Sequence, residues 1–202
     1  MPPPSGTLPP HVHDFLQEAD HRLERFARDG LCPAFVPSDF PQVFHALQYL
    51  AGSGQAAGTR FCEWGSGFGV VTCLATLAGF DAYGIEIESE LVDCARQLAS
   101  DFGLPVEFLC DSFIPPEGAA CLDTLDTSAW LTLQAGETAE TWGLGPEDFD
   151  VIYVYPWPEE EHAMCTLFER HAAPGALLLS YHGQEAVRLR RKVRKQRRRA
   201  RA

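Results

Sequence analysis

Residues 60–69 read RFCEWGSGFG, and the next six residues read VVTCLA. The apolar run Phe61–Trp64 is followed by glycines at alternate positions, Gly65, Gly67 and Gly69, and then by a pattern typical of a helix. Glycine lets a ligand approach the backbone closely, and the start of a helix carries partial positive charge. The stretch therefore predicts a strand, a ligand-binding glycine loop and a helix.

The alternation of short apolar runs and helical patterns continues to residue 180. Helical patterns span residues 68–79, 89–102 and 159–172. Strands that alternate with helices favour a parallel α/β sheet covered by helices on both faces. The predicted strands are Phe61–Trp64, Ala82–Ile87, Val106–Cys110, Val151–Tyr155 and Ala176–Ser180.

The flanks of this core differ from it in composition. Residues 1–10 are rich in proline and are expected to be disordered, whereas helical spacing predicts two helices within residues 11–52. Residues 116–148 are acidic and without clear periodicity. They are interpreted as an insertion, a helix whose apolar face the sequence does not define, or a lid. Residues 184–202 form a basic tail after a single domain that spans 11–183.

Charge is divided unevenly along the 202 residues, whose net charge is −12. Residues 188–201 hold ten Arg and Lys and no acid, so the first 187 residues carry 6 − 28 = −22. Such a body repels nucleic-acid phosphates and suits basic or neutral partners. The tail is expected to be a basic helix that docks on this body or binds an anionic partner, or else a solvated segment.

The cysteine pattern bears on the cellular compartment. No Cys-x-x-Cys pair is present, which predicts reduced thiols in the cytoplasm, without a disulfide framework or a metal site. No apolar stretch is long enough for a membrane span, and no secretory signal is visible at the amino terminus. The seven cysteines are at positions 32, 62, 73, 94, 110, 121 and 165.

Three acids, one before the glycine loop and two after it, form a pattern with chemical meaning. The spacing is G-x-G-x-G rather than G-x-G-x-x-G, and Glu63 would repel a pyrophosphate but attract an ammonium or sulfonium group. Glu86, at the end of the second strand, can accept both hydroxyls of a ribose, although Glu88 is an alternative. Asp111, after the third strand, can accept from an adenine amine or serve only as a turn residue.

With these features the chain resembles class I (seven-strand, Rossmann-like) S-adenosylmethionine-dependent methyltransferases over residues 35–183, most clearly over 60–111. The resemblance implies a sheet of strand order 3-2-1-4-5 and S-adenosyl-L-methionine as cofactor. It also implies roles for the residues: Glu63, Gly65, Gly67 and Gly69 on the methionine side, Glu86 on the ribose and Asp111 on the adenine. Only 22 residues follow Ser180, so the sixth and seventh strands are expected to be missing or irregular.

The fourth strand leads into Tyr155, Pro156 and Trp157. In parallel α/β sheets, ligands bind beyond the carboxyl ends of the central strands, so the methyl acceptor is expected at this turn. In position this turn resembles the Asp/Asn-Pro-Pro-aromatic motif of methyltransferases that act on planar amino groups. Tyr155 replaces the acid or amide of that motif, which disfavours methylation of nucleic-acid bases. The three residues are predicted to form a wall of the acceptor site, or alternatively an aromatic hinge.

A shorter likeness concerns the acceptor. Residues 35–38, FVPS, and 41–43, PQV, resemble a segment of small seven-strand lysine methyltransferases that modify mitochondrial carrier and ATP synthase subunits. The likeness implies a basic protein as a candidate acceptor.

Three functions follow from the sequence. The favoured hypothesis is an S-adenosylmethionine-dependent methyltransferase acting on a protein side chain or a small molecule. A catalytically silent module that binds the cofactor, with a tail for nucleic acid or a partner, is the alternative. An NAD-dependent oxidoreductase is disfavoured by the glycine spacing and by Glu63.

Overall fold

The computed structural model describes residues 6–29, 36–115, 118, 142–183 and 187–193. Its helices are α1 (Pro10–Asp29), α2 (Phe40–Ser53), α3 (Val70–Leu77), α4 (Ser89–Asp101) and α5 (Glu161–His171), with a short 3-10 helix at Pro146–Asp148. Its strands are β1 (Arg60–Trp64), β2 (Asp81–Glu86), β3 (Glu107–Cys110), β4 (Val151–Val154), β5 (Leu177–Tyr181) and β6 (Val187–Arg191).

The six strands form one sheet in the order β3-β2-β1-β4-β5-β6. Strands β1 to β5 are parallel, so the predicted α/β architecture and the order 3-2-1-4-5 are confirmed. Helices α1 to α4 pack on one face around a core that includes Phe61, Val151 and Leu179, and α5 packs on the other face around Cys62 and Ile152. All four residues of β4 are buried. Since neighbouring residues of a strand point to opposite faces, this means that β4 is covered on both sides.

The start of each flanking helix is set by local chemistry. The side chain of Asp39 accepts the backbone N–H of Gln42 at 3.0 Å, which caps α2. Before α1, residue Leu8 packs against the core and the carbonyl of Gly6 lies 3.1 Å from His45 Nε2. The disorder predicted for residues 1–10 is therefore wrong from residue 6 onward, since contacts with α2 hold this segment, while residues 1–5 lie outside the described residues.

The strand β6 corrects two expectations. The basic tail was expected to be helical or solvated, and a sixth strand was expected to be missing or irregular. Instead, Val187–Arg191 pairs antiparallel with β5, with Leu189 opposite Leu179 and Arg188 opposite Ser180. The physical reason is alternation with a period of two: Val187 and Leu189 pack against the core, while Arg188 and Arg190 point to the opposite face.

Basic side chains of β6 are held by groups of the body. Arg188 forms an ion pair with Glu161 at 2.8 Å, and Arg190 approaches Glu169 at 3.8 Å. Lys192 donates to the carbonyls of Arg170 and Ala172 at the end of α5, where a cation is favoured by the helix dipole. This part of the tail therefore docks on the body of its own chain.

The direction of β6 determines where the chain leaves the sheet. Val187 lies opposite Tyr181, at the edge where β1 to β5 end, and Arg191 lies opposite Leu177, at the edge where β5 begins. Residue 193 is thus at the edge opposite the glycine loop. The segment 119–141, which contains most of the predicted insertion 116–148, lies outside the described residues, as do residues 194–202.

Candidate functional site

The glycine loop lies where the sequence predicted it, between the end of β1 and the start of α3. Gly65, Gly67 and Gly69 have φ angles of 71°, 52° and 74°, a left-handed conformation that other residues rarely adopt. The backbone N–H groups of Gly65 and Ser66 donate to the carbonyl of Ile85 at 2.9 and 2.8 Å. The loop is therefore tied across the end of β2.

The first and last of these glycines have different surroundings. A Cβ atom on Gly69 would lie 2.6 Å from both the Cβ of Ala95 and the ring of Phe108, so close packing under the loop requires glycine there. A Cβ atom on Gly65 would meet no atom within 4 Å. Gly65 thus leaves open space at the carboxyl edge of the sheet, where ligands of parallel α/β sheets bind.

Glu86 holds the loop directly. It is the last residue of β2, its side chain is buried, and its Oε2 accepts the N–H of Gly67 at 2.8 Å. Its Oε1 accepts the N–H groups of Ile87 and Glu88 at 2.8 and 3.0 Å. Three backbone donors therefore stabilise the carboxylate at the position from which a ribose would be bound.

Glu63 is held by the first turn of α3. Its Oε2 accepts the backbone N–H of Thr72 at 2.8 Å and the Thr72 hydroxyl at 2.5 Å. Gly69, at the start of the helix, has no side chain to cap it, so Glu63 satisfies a helix donor from the neighbouring strand. Burial raises the pKa of the Glu63 carboxyl to about 8, although the bonds from Thr72 lower it, and the charge of Glu86 raises it further.

Asp111 completes the row of acids. It follows β3 directly and is buried, and its Oδ1 accepts the N–H of Ser112 at 2.5 Å. Its own N–H donates to the carbonyl of Glu86 at 2.8 Å. The structure therefore brings Glu63, Glu86 and Asp111 to one edge of the sheet beside the glycine loop, while their roles toward a ligand stay predictions.

The turn after β4 has a mixed surface. Tyr155 is half-buried and packs edge to face on Tyr181, with ring centroids 4.9 Å apart and an interplanar angle of 75°. Pro156 is buried, whereas Trp157 is 42% exposed and donates its backbone N–H to Glu160 Oε2 at 3.2 Å. Of the three predicted wall residues, only Trp157 is exposed.

Two contacts near this turn were missed from the sequence. The buried hydroxyl of Tyr153 lies 2.8 Å from the hydroxyl of Ser38, which precedes α2. After β5, His182 Nε2 lies 2.8 Å from Ser180 Oγ, and burial lowers the pKa of His182 below its ordinary value. No local pattern could have indicated the first contact, because 115 residues separate its partners.

Thr72 was missed for a different reason. Its hydroxyl has chemical meaning only once Glu63 of the neighbouring strand is known to face it. The signal available in the sequence was indirect: the helix starts after a glycine, so its first N–H groups need an acceptor from elsewhere.

The described residues contain neither a cluster of metal ligands nor a helix suited to a membrane. No three or more His, Cys, Asp or Glu side chains are grouped so that they could hold a metal ion. None of the described helices combines the length and apolar character that crossing a bilayer requires.

The fold is similar to that of solved structures. The O-methyltransferase TomG from Streptomyces achromogenes, solved with S-adenosylmethionine, aligns with a TM-score of 0.50 and 19% identity over 86% of this chain and 66% of its own. The cofactor-bound protein Rv0187 from MTB aligns with a TM-score of 0.50 and 22% identity over 87% of this chain and 73% of its own. The chain has the class I methyltransferase fold. No family model and no curated protein sequence matches it.

Within this methyltransferase fold, the residues present fit the cofactor that the fold family implies. Ser66 Oγ, in the glycine loop, is buried and has no hydrogen-bond partner among the described residues. A side chain on Gly65 would extend into open space at the carboxyl edge of the sheet, where a ligand has room. The N–H groups of Gly65, Ser66, Gly67 and Gly69 already donate within the protein, so these four are not available to a pyrophosphate. The carboxyls beside the loop suit hydroxyl and ammonium groups.

Proposed function

We propose that the protein is a methyltransferase that uses S-adenosyl-L-methionine. The single observation that carries the proposal is the contact between the glycine loop and Glu86, Gly67 N–H to Oε2 at 2.8 Å, beside the open space at Gly65. It joins a backbone cradle to a carboxylate in the arrangement that a nucleoside with an amino-acid group needs. The fold supports the same conclusion.

The residues would divide the binding between them. Gly65, Gly67 and Gly69 would hold the methionine part, Glu86 the ribose hydroxyls and Asp111 the adenine amine. The cofactor supplies a methyl group on a sulfonium centre, which an acceptor with a free lone pair can take. Because this transfer needs alignment more than acid or base catalysis, the protein's main task is positioning.

The acceptor side is proposed at the turn after β4. Tyr155, with Tyr181 behind it, and Trp157 would form an aromatic wall, and Pro156 would fix the backbone between them. The body is strongly acidic, so we favour a protein side chain, including that of a basic protein, or a small molecule over a nucleic acid. The free thiols of the described cysteines, Cys62, Cys73, Cys94, Cys110 and Cys165, support a cytoplasmic location.

The test is titration calorimetry, together with thermal unfolding, in the presence of S-adenosylhomocysteine, S-adenosylmethionine or NAD. S-adenosylhomocysteine should bind and raise the Tm, and NAD should not, because the G-x-G-x-G spacing lacks the third glycine of the dinucleotide pattern and the loop N–H groups of Gly65, Ser66, Gly67 and Gly69 already donate within the protein. Tighter binding of NAD would overturn the proposal. Binding without any formation of S-adenosylhomocysteine from labelled cofactor, over a panel of lysine-rich proteins, RNA and small amines, would favour a silent binding module.

A further inference from the structure

Four polar side chains meet at the carboxyl end of β5, on the face of the sheet that α5 covers. Ser180 Oγ lies 2.8 Å from His182 Nε2. The other ring nitrogen, Nδ1, lies 3.6 Å from Oε2 of Glu161, the first residue of α5. Oε1 of the same carboxylate is paired with Arg188 of β6 at 2.8 Å. A hydroxyl, an imidazole and a carboxylate are thus arranged in one row.

The packing of three elements produces this row. Residues two apart in a strand point to the same face, so Ser180 shares the α5 face with Leu178 of the apolar core. In the pairing of β5 with β6, Arg188 is directly opposite Ser180, which places their Cβ atoms about 4.5–5.5 Å apart. Because Arg188 holds Oε1 of Glu161, Oε2 is left on the side of the His182 ring. The neighbouring strand therefore sets the orientation of the carboxylate.

The ring of His182 is suited to accept a proton. Its side chain is 13% exposed, and burial is the main cause that lowers its pKa below the ordinary value of 6.5. The charge of Glu161 raises this pKa and that of Arg188 lowers it. The ring is therefore neutral at pH 7. Since the carboxylate faces Nδ1, the single proton belongs there, and Nε2 presents its lone pair to the Ser180 hydroxyl.

This arrangement is the one by which proteins activate a serine hydroxyl. The hydroxyl lies within hydrogen-bond reach of an imidazole, and a carboxylate orients the imidazole. The 3.6 Å between His182 and Glu161 agrees with the longer contacts that such groups have before a ligand binds. Arg188 adds a cation beside Ser180. Its guanidinium has five N–H donors and is 61% exposed, so donors remain to stabilise negative charge on an acyl oxygen.

A groove begins next to this row, between α5 and β6. It has a volume of about 590 Å³, and Glu161 belongs both to the row and to its lining. The rest of the lining includes Pro158, Glu169, Arg170 and Arg190. The volume is within the range of small-molecule sites, about 300–1,000 Å³. The charged side chains suit a small polar molecule better than a long apolar chain.

We propose that Ser180, His182 and Glu161 form a second catalytic site, which hydrolyses small polar carboxylic esters. Ser180 Oγ attacks the carbonyl carbon and forms a C–O bond, while its proton moves to His182 Nε2. The carbonyl oxygen takes up the negative charge beside Arg188. The bond to the alcohol then breaks, and the alcohol leaves with the proton from Nε2. Water attacks the acyl-serine in the same way, which releases the carboxylic acid and restores the Ser180 hydroxyl.

The experiment treats the full chain with a fluorophosphonate probe, which reacts selectively with activated serine hydroxyls. Mass spectrometry of the protein and of its peptides should find one adduct, on Ser180. His182→Ala should slow labelling at least about a hundredfold, because a general base contributes about 10²–10⁴. Glu161→Gln should slow it at least about tenfold, because the ring loses the carboxylate that orients it. The hydrolysis of p-nitrophenyl acetate should fall in the same order.

Matched variants show whether any loss is specific. Ser100→Ala in α4 and His21→Ala in α1 change exposed residues of the same two types, and both should be labelled as fast as the wild type. Ser180→Ala should carry no adduct, and thermal unfolding shows that it is folded. The wild type provides a test without any variant, since labelling of Ser180 should stop in concentrated urea, where the row of side chains is lost.

The outcomes decide the proposal either way. It is overturned if Ser180 carries no adduct under conditions that fully label a serine protease. Equal labelling of His182→Ala and the wild type would also overturn it, as would an adduct that still forms in urea. The same holds if Ser180→Ala hydrolyses p-nitrophenyl acetate as fast as the wild type. None of these results depends on whether S-adenosylhomocysteine binds, because this row is separate from the glycine loop.

Discussion

Gly67 donates its backbone N–H to the carboxylate of Glu86 at 2.8 Å, across 19 residues of sequence. The acid proposed to bind a ribose thus also fixes the loop proposed to bind the amino-acid part of the same ligand. The bonds it accepts from Gly67, Ile87 and Glu88 imply that binding and local stability depend on the same carboxylate.

Glu86→Ala should lower the free energy of unfolding and weaken ligand binding together. Leaving buried N–H groups without an acceptor costs about 1–3 kcal/mol, and loss of the ribose contact should weaken S-adenosylhomocysteine at least about tenfold. Urea unfolding and calorimetry measure the two effects. Glu88→Ala is the control and should change neither; equal effects from both variants would show that Glu88 is the ligand.

Alanine at the first and third glycines should separate packing from binding. Gly69→Ala forces a Cβ into Ala95 and Phe108, so we expect a loss of about 2–4 kcal/mol of stability from strain and overpacking. Gly65→Ala has the same backbone strain, but its Cβ enters open space, so we expect a loss of only about 1–2 kcal/mol of stability. It should nevertheless lose most of its affinity for S-adenosylhomocysteine. A normal affinity in Gly65→Ala would move the ligand away from this loop.

Glu63 should make stability depend on pH. Its pKa in the folded protein, about 8, is above its ordinary value of 4.5, so the folded state keeps a proton that the unfolded state loses. Its contribution is therefore lost as pH rises from about 4.5 to 8. Glu63→Gln cannot ionise, so its stability relative to the wild type should increase by about 3–4 kcal/mol between pH 5 and pH 8. Thermal unfolding of both proteins across this range measures it, and parallel curves would contradict it.

Two truncations should distinguish the strand β6 from the residues after it. A chain that ends at Gly183 exposes the edge of β5 and the apolar surface under Leu189, so it should lose several kcal/mol or fail to fold. A chain that ends at Val193 keeps β6 and its ion pairs, and should lose less than about 1 kcal/mol. Unfolding at low and high salt checks this, since any loss due to surface charge should shrink as salt is added.

The chain ending at Val193 also tests whether the tail binds nucleic acid. The acidic body should repel phosphates, so we expect RNA to bind the full chain more weakly than about micromolar at physiological salt. Sub-micromolar binding that disappears in the truncated chain would instead favour an RNA-associated role for residues 194–202. Arg188 and Arg190 are already paired with Glu161 and Glu169 and should contribute little to such binding.

The parts of the fold that local patterns determine were predicted from the sequence. Five strands and their connecting helices follow from apolar runs and periodicity, and the left-handed φ angles of Gly65, Gly67 and Gly69 agree with the loop predicted at these glycines. The strand β6 was missed because Ala186, Leu189 and Val193 fit helical spacing, just as Val187 and Leu189 fit one face of a strand. Only the unpaired edge of β5 decides between the two.

For the acids of the site, the sequence predicts the position in the sheet but not the hydrogen bonds within the protein. Glu63 and Glu86 were singled out for the ligands they suit, and both lie at the expected edge of the sheet. That each also accepts hydrogen bonds from its own chain depends on how β1, β2 and α3 pack together. Tyr153 and Ser38 are the extreme case, since their contact joins segments that no spacing rule connects.

The reversed direction of β6 has a practical consequence. The chain passes residue 193 at the end of the sheet opposite the glycine loop, separated from it by the length of the strands, about 17 Å for five residues. A fluorophore or an affinity support attached at Val193, which is 71% exposed, would be far from the glycine loop, so an immobilised protein would keep its binding edge accessible. The same separation means that a signal from a dye there would report attachment of a partner to that end and be largely insensitive to occupancy of the loop.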